Sequence, residues 1–171
     1  SNVISGYSKN DFLLGKIEFI FLLGIVSTLV LFLSGLYLGF IHSSSTAIGD
    51  VFGKMIYLLA YFIEVVAFLL FSLLWGVLLK RTGLAFIGLF VYLIAEPIIE
   101  YNLPESFSRW LPLNAMNNII QSPNTSLIKI KSADFNFDFQ EFVSIADVSI
   151  CVGFSLLFVF ITWWIIKIRD I

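Results

Sequence analysis

Apolar residues gather in four long runs, Ile17 to Ile41, Met55 to Leu79, Thr82 to Ile99 and Val143 to Ile166, with short polar or charged breaks between the first three. A helix of about 18 or more residues, rising 1.5 Å per residue, matches the hydrocarbon thickness of a bilayer. Within the runs, stretches such as Phe19 to Leu23 and Phe68 to Phe71 are apolar on every side. A transmembrane β-barrel requires alternation of apolar and polar positions, so the pattern excludes one. Lipid offers no partner for an unpaired backbone N–H or C=O, and helices satisfy both internally. The expected fold is all-α: a polytopic transmembrane helix bundle in a single domain over residues 1–171.

Composition strengthens this reading. Hydrophobic residues make up 59% of the 171 positions and charged residues 13%, and mean hydropathy is +0.97. Too few polar residues remain to cover a water-soluble surface. The net charge of -2 supplies no basic patch, so nucleic acid is not expected as a partner.

The ten basic residues set the expected orientation. Lys9, Lys16, Lys80, Arg81, Lys167 and Arg169 flank one side of the runs, whereas Lys54, Arg109, Lys129 and Lys131 fall on the other. The positive-inside rule then places both ends of the segment in the cytoplasm and Tyr101 to Glu141 outside. Trp75, Trp163 and Trp164 would form an aromatic belt near the inner interface. The chain opens on Ser1 without an initiating Met, and Ser8 with Asp11 reads as a helix cap leading into the first run. An opening in mid-loop leads us to expect further crossings upstream and a six-span whole.

Carboxylates inside the runs are the main candidates for function, because a charge near the bilayer centre costs about 2.5–3.5 kcal/mol on insertion scales. Glu64 lies roughly nine residues into the second run, on the order of 14 Å deep at 1.5 Å per residue. It reads either as a pathway carboxylate or as a buried, hydrogen-bonded one. Glu96 precedes Pro97, and Glu100 follows one turn later on the same face. Proline removes a backbone donor and disfavours helical geometry before it, so the helix is expected to kink or end at Glu96, as a gate or as a simple exit.

Beyond that point, Pro112 is expected to start a short amphipathic helix. Leu113, Met116 and Ile120 form its apolar face, and Asn114, Asn117, Asn118 and Gln121 form an amide face lying at the membrane surface. Phe135, Phe137, Phe139 and Phe142 alternate with polar residues and read as an extended interfacial segment. Gly35 and Gly39 form a small-xxx-small pair that permits close helix approach.

Enzymatic chemistry finds few parts. His42 is the sole histidine and Cys151 the sole cysteine, which leaves no intrachain disulfide, no zinc-protease motif and no Ser/His dyad of the usual kind. Gly49 to Lys54 departs from a phosphate loop: its glycines stand one residue too close, and Met55 replaces the Ser or Thr. No metal site and no enzyme activity are expected. Asn124-Thr125-Ser126 matches a glycosylation acceptor, relevant only in a secretory-pathway host.

Taken in order, Asn2 to Ser8, Phe12 to Lys16, Lys80 to Ala85, Glu96-Pro97 and Trp110 to Asn118 resemble the permease subunit of ABC-2 type transporters, over nearly the whole chain. The resemblance implies the last four spans of a six-span permease in a plasma membrane, in a bacterium the inner membrane. It implies a second permease subunit and a cytoplasmic ATP-binding subunit as partners, with ATP bound there and no cofactor on this chain. Val3, Ile4, Ser5, Gly6 and Tyr7 would form the loop touching that ATPase, although an amphipathic entry to the first span fits them equally. The short outer helix bearing Asn114, Asn117 and Asn118 would close the exit, or merely cover the bundle. A non-transporting membrane scaffold with structural carboxylates is the alternative reading.

Overall fold

A computed structural model describes residues 9–42, 55–79, 81–120 and 143–168. Six helices make up its regular structure: α1 (Lys9–His42), α2 (Met55–Leu79), α3 (Thr82–Tyr101), α4 (Glu105–Ser108), α5 (Pro112–Asn117) and α6 (Ile145–Ile168). No strand occurs among the described residues. Helices α1, α2, α3 and α6 are long and apolar enough to cross a membrane. Among the described residues the fold is thus all-α, with four candidate spans and two short helices between the third and fourth.

Helix α2 is the hub, and α1, α3 and α6 all pack on it. The reason lies in its stripe of small and large residues at helical spacing: Ala60, Ala67, Leu70 and Phe71 are buried. Alanines seven residues apart let a neighbouring backbone come close, and Phe71 fills the space beyond them. On α6 the matching stripe is Cys151, Phe158, Thr162 and Ile166. Phe71 meets Phe158 with ring centroids 5.1 Å apart and Tyr92 of α3 at 5.2 Å, so one ring joins three helices.

Lipid-like surroundings explain the rest of the surface. Phe19, Leu22, Leu29 and Leu33 of α1, and Phe86, Ile87, Phe90 and Ile94 of α3, are exposed. So much contiguous apolar surface calls for hydrocarbon or another apolar partner. Hydroxyl groups along the spans turn back to their own helices: Thr28 donates to the Gly24 carbonyl, Ser72 to Phe68, Ser155 to Cys151 and Thr162 to Phe158. That pattern satisfies a polar side chain where no water competes. Ser27 and Tyr61 form a bond between helices, at 2.8 Å across α1 and α2.

The glycine expectation is corrected. Gly35 and Gly39 have nothing within 4 Å of the position a Cβ would take, so the pair makes no close approach to another helix among the described residues. Close approach occurs at Gly24, against Phe62 and Val66, and at Gly88, where a Cβ would come within 2.8 Å of the Trp75 ring and 2.9 Å of Leu79. A lone glycine with apolar neighbours carries no sequence signal of this kind. Gly88→Ala is expected to cost about 1 kcal/mol through overpacking, because the Trp75 ring cannot yield without disturbing Phe71 and Tyr92. Gly35→Ala is expected to be neutral by comparison, and unfolding of both variants in mixed detergent micelles measures the difference. Of the tryptophans expected near the inner interface, Trp75 is half-buried and edge-on to Phe71, whereas Trp164 is exposed.

Candidate polar latch between α3, α5 and α6

Polar chemistry concentrates where α3 ends and α6 begins. Pro97 lies inside α3, which runs on to Tyr101; of the two outcomes expected at Glu96, a kink or an end, the end is corrected. Proline forfeits one hydrogen bond, to the carbonyl four residues earlier, and the bonds around it carry the helix one further turn. Continuity has a consequence: Glu96 and Glu100 stand one turn apart on one face.

The chain then leaves α3 through Asn102, whose side-chain amide donates to the Ile98 carbonyl, and makes the single turn of α4. Pro112 opens α5 at its first position, as its fixed φ and missing donor favour. Leu111 precedes it and has no side chain able to cap, so the free N–H groups of this first turn need acceptors from elsewhere. Glu96 supplies one: its Oε1 accepts the Asn114 backbone N–H at 2.9 Å. The Asn114 side chain completes the join, donating from Nδ2 to Glu100 Oε1 at 2.8 Å and to the Ser108 carbonyl at 2.9 Å. One asparagine therefore ties α3, α4 and α5 together.

A second tie holds the same segment to α6. Arg109 donates from Nε at 2.8 Å and from Nη2 at 2.6 Å to a single oxygen, Oδ1 of Asp147, in the first turn of α6. The Asp147 side chain is 9% exposed and that of Arg109 47%. Water therefore reaches the guanidinium more readily than the carboxylate. Beneath the polar bonds, Leu113, Ala115, Met116 and Ile119 are buried, and α5 rests on α2 and α6. The short helix is consequently docked in the bundle end, and the amide face does not simply look outward: Asn114 points into the structure while Asn117 is exposed.

Glu96 is the most buried acid of the described residues, at 2% exposure, and its Oε2 is buried without a hydrogen-bond partner. Such an orphaned acceptor costs about 1–3 kcal/mol, and more when charged. Tyr92, one turn earlier, also hydrogen-bonds to the Glu96 carboxylate through its hydroxyl.

Glu64 lies apart from this cluster. It is half-buried on α2 between Ala60 and Ala67 in helical register, so it faces the α6 seam, and it interacts electrostatically with Cys151. At the opposite end of the bundle, Trp163 donates to Asn10 Oδ1 at 3.2 Å and carries Lys167 over its ring at 4.9 Å, linking the start of α1 to the end of α6. Val3, Ile4, Ser5, Gly6 and Tyr7, the Gly49 to Lys54 stretch, Gln121, Asn124 and the Phe135 to Phe142 alternation lie outside the described residues.

Among the candidates from sequence, the structure brings Glu96, Pro97 and Asn114 together, and leaves Glu64 and Asn117 outside the latch. Sequence reasoning missed Arg109 and Asp147 as a pair. The signal was present in part: Asp147 is an acid just inside the fourth span, which needs a partner, and Arg109 is a cation whose interest had been confined to topology. No protein-family model, curated protein or solved structure matches this chain.

Proposed function

We propose that this chain is the membrane-spanning part of an ATP-driven export permease of the ABC-2 type, and that the α4–α5 segment closes its outer end. The observation that carries the reading is the way this segment is held. An apolar underside docks on α2 and α6, while a handful of polar bonds through Asn114 and Arg109 fasten it to two different spans. Bonds of that kind are local and can be exchanged for water when helices part, which suits a closure that opens in cycles. In this reading the basic ends lie in the cytoplasm, Val3 to Tyr7 meet an ATP-binding subunit, and a second permease subunit completes the path. Glu64 at the α2–α6 seam is the carboxylate that becomes accessible as those two helices separate.

The test combines partner and residue. Full-length protein purified from its native membrane should carry an ATPase bearing a phosphate loop, and Glu64→Ala should abolish ATP-dependent export by that complex with its unfolding temperature little changed. If no ATPase accompanies the protein and Glu64→Ala fails to fold, the carboxylate is structural and the chain is a membrane scaffold.

A further inference from the structure

We propose that Glu96 and Glu100 bind one small monovalent cation at the seam of α3 and α5. Three observations converge there. Two carboxylates stand one turn apart, and the donors that face them, the Asn114 amides and the Tyr92 hydroxyl, are all neutral. The one described salt bridge nearby already commits Arg109 to Asp147, so no basic side chain among the described residues compensates either glutamate. Independently of that charge count, Glu96 Oε2 is a fully buried acceptor with nothing bonded to it. A positive ligand resolves both deficits at once, because it supplies the missing partner for Oε2 and offsets the excess negative charge where little water reaches.

The donor set defines the class of ion. Two carboxylates, with the Tyr92 hydroxyl one turn away, are oxygen ligands and few in number. Among the described residues no three His, Cys, Asp or Glu side chains gather. Calcium takes six to eight oxygens, transition metals favour nitrogen or sulfur, and magnesium brings several waters that a fully buried Oε2 does not admit, so an alkali ion fits best. Occupancy would hold α5 against α3, since Glu96 and Glu100 each keep one oxygen on Asn114 while the ion partners Glu96 Oε2. The inference stands on the polar cluster alone and does not depend on the chain being a transporter.

The experiment uses the full-length protein in neutral detergent at constant ionic strength. Unfolding temperature is compared in sodium chloride, potassium chloride and choline chloride, choline being too bulky to reach a buried oxygen. Binding of radioactive sodium to the same protein is read in parallel. We expect a saturable rise of several degrees with sodium or potassium over choline, and about one ion bound per chain if the site is single. Glu96→Gln, which keeps the shape and an acceptor for Asn114, should remove both the rise and the bound ion. Glu100→Gln should weaken apparent affinity several-fold, and Arg109→Ala should keep the response. Equal stability in all three salts, or a sodium response that survives Glu96→Gln, overturns the proposal; should Glu96→Gln not fold, an undiminished affinity in Glu100→Gln overturns it equally.

Discussion

Phe71→Ala is expected to produce the largest loss of stability of any single substitution in the bundle, about 3 kcal/mol, at the low end of the usual range for removing a buried phenylalanine. The ring is 4% exposed and sits where α2, α3 and α6 meet. It contacts Trp75, Tyr92 and Phe158 with centroids 6.2, 5.2 and 5.1 Å away. In a bilayer the transfer of apolar surface drives little, since lipid tails are as apolar as the core. The cavity and the lost contacts are what remain. A void on the order of 100 Å³ at about 24 cal/mol per Å³ accounts for about 2.4 kcal/mol, and lost aromatic pairs at about 0.5–1.5 kcal/mol each raise the figure. Chemical unfolding in mixed micelles measures it. Phe71→Leu should lose clearly less, and a smaller loss for Ala than for Leu would show that the three helices do not depend on this ring.

Breaking the Arg109–Asp147 pair is expected to be asymmetric. Arg109→Ala leaves a buried carboxylate without its cation. Removing one partner of a fully buried pair costs about 3–5 kcal/mol, and partial exposure of the guanidinium reduces the expected loss to about 2 kcal/mol. Asp147→Ala leaves instead a half-exposed arginine that water can solvate. Its expected cost is about 1 kcal/mol, part of it the favourable interaction of an acid with the first turn of α6. The double variant Arg109→Ala with Asp147→Asn should recover part of the loss, because no uncompensated charge stays buried. Unfolding curves for the three variants decide the matter by their order. Asp147→Ala proving the costlier single change would mean that the pair is a surface contact with no hold on the α4–α5 segment.

Both predictions depend on residues that the sequence treated unequally. Phe71 was one apolar position among many in a run hydrophobic on every side, where periodicity cannot mark a hub. Asp147 and Arg109 lie 38 positions apart, and nothing local couples them. Glu96, Pro97 and Asn114 were legible as candidates because each is chemically out of place: an acid inside an apolar run, a proline before its end, an amide on a short helix. What they do together was not legible. Pro97 suggested a kink or a helix end, and α3 continues because one lost hydrogen bond is a small penalty within an otherwise intact ladder. Gly35 and Gly39 looked like a contact motif, yet Gly24 and Gly88 make the close approaches, since spacing states what a helix face permits and only a neighbour decides which face is used.

By itself, the sequence determined the solvent and the class of fold. Backbone groups in hydrocarbon must bond within their own helix, so a long apolar run has one outcome and its limits can be read directly: two of the four helices begin where their runs begin, at Met55 and Thr82. Tertiary structure alone decided which helix is central, which glycines touch, and that Glu96, Glu100 and Arg109 fasten one short segment to two spans. Those outcomes rest on shape and on pairing across distant positions, and lipid, being apolar on all sides, leaves no trace in the sequence of which apolar face meets protein.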